Sequence, residues 1–111
     1  MKRGDVYMVN FDPGVPGEPA RTRPAVLLTN DLANETLPHV VVAPVTSNVQ
    51  RVYPFDVVLD AGSCGLPETS RVQLNSVRGL NRGRLGRFVG HLTPAQVKDV
   101  DTKLKTHLGL L

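Results

Sequence analysis

The chain has 111 residues, of which 41% are hydrophobic and 21% charged, with a formal net charge of +3. That length holds a single domain, 1–111, with one core, and the composition excludes a disordered chain. No apolar run approaches the roughly 20 residues of a membrane helix, so no membrane partner is expected. Met1–Asp5 turns polar before any apolar stretch develops, unlike a secretory signal. The one cysteine, Cys64, makes no internal disulfide, and a reducing cytoplasm is the default compartment.

Val6–Phe11 is rich in β-branched and aromatic residues between turn formers and reads as the first strand. Asp12–Thr22 carries Pro13, Gly14, Pro16, Gly17 and Pro19, which defeat both helix and ladder. It is a surface loop of about ten residues, a length that marks a functional or disordered segment. Pro24–Thr29 is the second strand, stopped by Asn30-Asp31, and Asp31–Leu37 has room for one helical turn. His39–Val45 is nearly all apolar, as for a central strand buried on both faces. Pro54–Leu59 alternates, Asp60–Gly65 is a turn-rich connector, Ser70–Leu74 is a short strand, and Arg84–Leu92 is a strand with two glycines.

Thr93-Pro94-Ala95-Gln96 opens a helix: Thr93 can cap, Pro94 suits the first helical position, and Gln96 can complete a capping box. Val97, Val100, Leu104 and Leu108 repeat at helical spacing, Lys103, Lys105 and His107 suit the negative end of the dipole, and Gly109 is the stop. The sum is roughly five or six short strands, a sandwich or barrel pattern, followed by one amphipathic helix. Gaps too short for crossovers predict a mainly β, curled antiparallel sheet with the helix packed against it.

Few residues suggest chemistry. His39, His91 and His107 are far apart with no second ligand at useful spacing, so no metal site is expected. No glycine-rich phosphate loop and no nucleophile elbow occur. Cys64 has no basic neighbour to activate it and reads as structural. Two strand ends remain. Pro24 forces Arg23 into an extended conformation where the Gly/Pro loop rejoins the sheet. Thr46-Ser47 places hydroxyls just past the buried run. Each reads either as an ordinary polar strand end or as an anion contact. Arg78, Arg82, Arg84 and Arg87 fall close together, either as a solvated loop and strand edge or as a rim that tracks phosphates. With no Trp and five other aromatics, a base-stacking platform of the usual kind is not expected.

Gly4-Asp5-Val6-Tyr7, Gly17-Glu18, Arg23-Pro24-Ala25-Val26, Asn30-Asp31, Pro44-Val45-Thr46-Ser47, Tyr53-Pro54-Phe55-Asp56-Val57 and Arg84-Leu85-Gly86 occur in an order that resembles the MazF/PemK family. The resemblance runs from about Arg3 to the terminal helix. It implies an SH3-like or gyrase-poison-like β-barrel with a C-terminal α-helix. It also implies a toxin of a type II toxin–antitoxin pair: a metal-independent endoribonuclease that cuts single-stranded mRNA at short motifs, without cofactor. The implied catalytic pair is Arg23 and Thr46, and the implied products carry 2′,3′-cyclic phosphate and 5′-hydroxyl ends. Its implied partners are a second copy, in a homodimer, and a cognate antitoxin whose C-terminal segment covers the RNA groove.

Within that resemblance Arg23 stabilises charge and Thr46 donates a hydrogen bond. Arginine stays protonated and is a poor base, so the proton acceptor is open; Glu18 is a candidate, or else a plain exposed carboxylate. Ser47 supports phosphate or base binding, or shapes the turn. Arg78, Arg82, Arg84 and Arg87 are candidates for RNA backbone contacts. One departure stands out: Ser76 occupies the place where many relatives carry Gln. The competing readings are a gyrase-poison type of toxin that binds a protein target, and a non-catalytic RNA-binding module.

Overall fold

Seven strands and two helices follow one another in the computed structural model, which describes residues 1–14, 16–17 and 21–110. The strands are β1 (Asp5–Asn10), β2 (Thr22–Leu27), β3 (His39–Thr46), β4 (Asp56–Leu59), β5 (Ser70–Gln73), β6 (Arg78–Asn81) and β7 (Leu85–His91). The helices are α1 (Asp31–Thr36) and α2 (Pro94–Leu108). The ladder runs β4-β5-β3-β2-β1-β7, with β6 also paired to β3. Every pairing is antiparallel. The sheet curls but is not closed, since β4 and β7 stand at its two ends.

The curl follows from burial on both faces. Along β3, Val40 and Val42 enter one apolar cluster with Val9, Phe11, Leu27 and Leu80. The alternate residues Ala43 and Val45 enter the other, with Val6, Val57, Leu74 and Val100. Period-two alternation thus feeds two clusters from one apolar run. The strand sits at the hub of the sheet, bonded to β2, β5 and β6.

Helix α2 covers the second cluster. Its capping box is formed: the Thr93 hydroxyl accepts from Gln96 N–H at 3.2 Å, and the Gln96 side chain accepts from Thr93 N–H at 2.8 Å. Val100 is buried while Val97 and Leu104 pack against the cluster. The expected stripe ends there, because Leu108 is 54% exposed. Arg3 donates to Asp101 at 2.7 Å and to the Leu28 carbonyl at 2.8 Å, tying the chain's start to α2.

Strand β6 was not expected from Arg78-Gly79-Leu80-Asn81, in which only Leu80 is buried. It exists because β3 offers it an edge, with Val40 opposite Leu80 and Val42 opposite Arg78. The Asp31–Leu37 turn proves to be a full short helix, capped by Asn30, whose side chain accepts from Ala33 N–H at 2.9 Å.

Tyr7, on β1, meets Phe88 edge-on with ring centroids 5.5 Å apart. Partial burial, and then the Asp5 carboxylate, hold its phenol above the ordinary value. The folded chain therefore binds that proton more tightly than the unfolded one. The resulting stabilisation is complete below the ordinary phenol range and is lost as pH rises through the folded value. Tyrosinate absorbance of the wild type minus that of Tyr7→Phe should give a titration centred above the ordinary phenol value. A midpoint at or below it would contradict this environment.

Candidate active site

Arg23 and Thr46 are 23 positions apart in the chain. β2 and β3 bring them together. Ala25 pairs with Pro44, Val26 with Ala43 and Leu27 with Val42. Continuing that register by two residues sets Arg23 opposite Thr46. Directly opposed residues in an antiparallel pair share a face, with Cβ atoms about 5 Å apart. Both line one open cleft of about 220 Å³, together with Thr22, Pro24, Val45 and Ser47 from the same strand ends. The far wall is Leu66, Pro67, Glu68 and Ser70.

Each side chain is set by its own strand. Arg23 is half-buried and pairs across the other edge of β2 with Val9 on β1. Thr46 closes β3, and its Oγ1 accepts from Asn48 N–H at 3.2 Å. With an acceptor position occupied by that amide, the hydroxyl is free to present its own proton outward. A guanidinium and a hydroxyl lining one open cleft at a sheet end are donors of the kind that phosphoryl oxygens accept from.

The profile of a family described as PemK-like, MazF-like toxin of type II toxin-antitoxin system matches residues 2–108. The chain belongs to that family. It is 38% identical to Endoribonuclease MazF9 of Mycobacterium tuberculosis, over 99% of this chain and 98% of that protein. The crystal structure of MazF from Deinococcus radiodurans superposes with a TM-score of 0.85 at 28% identity, covering 98% of this chain and 96% of that one. An endoribonuclease in complex with its cognate antitoxin, from a mycobacterial species, gives 0.82 at 27% identity, covering 100% and 97%.

In this MazF-family chain the four clustered arginines part company. Arg82 donates to the Asn34 carbonyl, and Arg84 to the carbonyls of Asn10 and Asp12. Arg78 lies 5.7 Å from the centre of the Phe11 ring. Arg87 is exposed on β7. None of the four lines the cleft. Arg84 comes nearest through the ladder: Leu85 and Arg23 flank Val9 from opposite sides, which puts them two strand spacings, or about 10 Å, apart.

The neck of the long loop is tied where Arg21 N–H donates to Asp12 at 2.7 Å and Phe11 N–H to the Arg21 carbonyl at 2.8 Å. Glu18 lies outside the described residues. Ser47 is exposed at the cleft mouth, while Ser76 sits half-buried in the 3₁₀ turn Leu74–Ser76 and is not part of the lining. Sequence reasoning missed Glu68 and Ser70, which reach the cleft through the β5 connection. Nothing local in Leu66-Pro67-Glu68-Thr69-Ser70 signals it. Among the described residues no cluster of three or more His, Cys, Asp or Glu could hold a metal ion, and no helix is long and apolar enough to cross a membrane.

Proposed function

We propose that this chain is the toxin of a type II toxin–antitoxin pair, an endoribonuclease that cuts single-stranded mRNA in the cytoplasm through Arg23 and Thr46. Membership of the MazF family and the endoribonuclease named at 38% identity support the activity. The observation that carries the site is the shared cleft of Arg23 and Thr46. A protein-binding poison has no use for that pairing, and the gyrase-poison reading is set aside.

The chemistry uses RNA's own nucleophile. The 2′-oxygen attacks the adjacent phosphorus, the bond from phosphorus to the 5′-oxygen breaks, and the chain ends in a 2′,3′-cyclic phosphate and a 5′-hydroxyl. Arg23 clamps two phosphoryl oxygens and stabilises the charge added in the transition state. It can also supply the proton taken up by the leaving 5′-oxygen. Thr46 donates to a third position, which helps hold the nucleophile in line. Glu18 is our choice to take the 2′-hydroxyl proton. Ser47 holds the phosphate or an adjoining base; Arg78, Arg82, Arg84 and Arg87 do not form one strip, and the exposed Arg87 is the member of the cluster we keep as an outer contact for the RNA backbone. As in the mycobacterial complex, a cognate antitoxin is the protein partner, and a carboxylate of that partner would compete with an RNA phosphate for the same Arg23 guanidinium. A homodimer is the expected working unit.

Purified protein incubated with defined single-stranded RNA in excess EDTA should still cut it and leave cyclic-phosphate ends. RNA affinity should fall steeply with salt as counterions are released. Glu18→Gln should flatten the acid limb of the rate–pH profile while Glu68→Gln leaves it intact. Loss of cleavage in EDTA would overturn the metal-free mechanism, and the reverse result for the two glutamates would move the base to Glu68.

A further inference from the structure

Thr46 is the last residue of β3, and the chain leaves the ladder after it until β4 begins at Asp56. The segment 47–55 is irregular, yet both its ends are secured by one side-chain pair. Arg71, on β5, stands opposite Thr46 in the register. Its Nε donates to the Asn48 carbonyl at 2.8 Å, and its Nη1 to Asp56 Oδ2 at 3.1 Å. The same carboxylate oxygen accepts from Tyr53 N–H at 2.8 Å. Asp56 has no exposed surface and the Arg71 side chain only 12%. Tyr53, stacked on Phe55 at 5.2 Å, closes over the pair with its ring centre 5.8 Å from the Arg71 guanidinium.

We infer that Arg71, latched onto Asp56, is a positioning residue that aims the Thr46 hydroxyl through Asn48, an inference that rests on the assignment of Thr46 above. The Asn48 peptide is gripped on both sides. Arg71 holds its carbonyl, and its N–H donates to Thr46 Oγ1. That N–H keeps an acceptor position of the hydroxyl occupied, so the proton of Thr46 is directed away from Asn48. Gln50 N–H donating to Asn48 Oδ1 at 3.2 Å stiffens the same turn.

The fork geometry matters: a guanidinium reaches a carbonyl and a carboxylate at once, which a single ammonium cannot do with the same directions. Arg71 is thereby distinguished from Arg23. Its charge is balanced by Asp56 and mostly covered, and it does not line the cleft. It acts on the hydroxyl, and RNA is touched by the groups it aligns.

Two variants test this. Arg71→Lys keeps a cation beside Asp56 but loses the fork, and Asp56→Asn keeps the acceptor for Tyr53 but weakens the grip on Arg71. Each is measured in single-turnover cleavage with enzyme in excess, in RNA affinity as a function of salt, and again in a Thr46→Ala background. Each should lower the cleavage step, on the order of 100-fold for Arg71→Lys and less for Asp56→Asn. RNA affinity and its salt slope should stay at wild-type values. In the Thr46→Ala background neither should cause any further loss, since there is no hydroxyl left to aim.

A loss of undiminished size in that background would overturn the inference. So would a salt slope reduced by about one counterion, which would make Arg71 a direct phosphate contact, and so would wild-type cleavage by both variants. Full activity of Thr46→Ala alone would instead sink the assignment of Thr46 itself, and is read separately. Should Arg71→Lys melt below the assay temperature, Asp56→Asn, which keeps a neutral acceptor of the same shape for Tyr53 and Arg71, decides the question.

Discussion

Arg23→Ala should slow RNA cleavage by about 1,000-fold or more, with the fold intact. The size follows from the role: a preorganised cation placed where negative charge develops is worth about this much or more in phosphoryl chemistry. Thr46→Ala should cost about 100-fold, the usual effect of removing one donor to the developing charge. Arg23→Lys should recover little, because an ammonium cannot grip two phosphoryl oxygens in a plane. Thr46→Ser should recover most of the loss. Neither Arg23 nor Thr46 belongs to an apolar cluster of the core, so circular dichroism and melting should stay close to wild type. The readout is the single-turnover rate on a defined RNA, with the 5′-hydroxyl product quantified. Wild-type rates for both alanine variants would remove the pair from the chemistry.

Gly90→Ala and Gly65→Ala should be the most destabilising of the alanine substitutions at the described glycines compared, each by about 3 kcal/mol or more. A Cβ on Gly90 would lie 2.2 Å from the Cys64 carbonyl oxygen, and one on Gly65 would lie 2.1 Å from the Val89 carbonyl oxygen. Both obstacles are backbone, so no rotamer change relieves them. Gly65 also has φ +76°, which adds about 1 kcal/mol for any residue with a Cβ. Here the 3₁₀ turn Ser63–Gly65 rests directly on β7. Gln96 anchors the turn from α2, its Nε2 donating to Ser63 Oγ at 2.6 Å. Leu66, the next residue, is part of the cleft wall. A chain of this size should lose at least about 12 °C in Tm, at roughly 4–8 °C per kcal/mol. Gly79→Ala is the control: its nearest obstacle is 3.8 Å away and its φ is unexceptional. A Gly90→Ala melting point close to that of Gly79→Ala would show that the turn and β7 do not pack in this way.

Sequence alone determined whatever depends on near neighbours. Thr93 and Gln96 lie three apart and close their capping box within one turn, so α2 was legible to the residue at its start. The apolar run of β3 announced a strand covered on both faces, whereas β2 runs Thr22–Leu27 and stops short of Asn30-Asp31, where Asn30 instead caps α1. Order and spacing of short fragments carried the family resemblance, and with it the candidates Arg23 and Thr46. Tertiary structure decided what depends on partners. β6 carries one buried residue and is a strand only because β3 bonds to it. The arginine cluster looked continuous along the chain, but Arg82 and Arg84 spend their donors on carbonyls that folding brings from about 48 and 72 to 74 positions away. Asp56 stood in one of the fragments that carried the resemblance, but its pairing with Arg71 came only when β5 fell between β4 and β3. The pairing of Arg23 with Thr46 is of the same kind. It is set by the register of β2 on β3, and that register is chosen by the two apolar faces that both strands must bury together. Local preference is a property of a few adjacent residues; a slip of one residue would turn Arg23 and Thr46 to opposite faces without altering a single propensity along the chain.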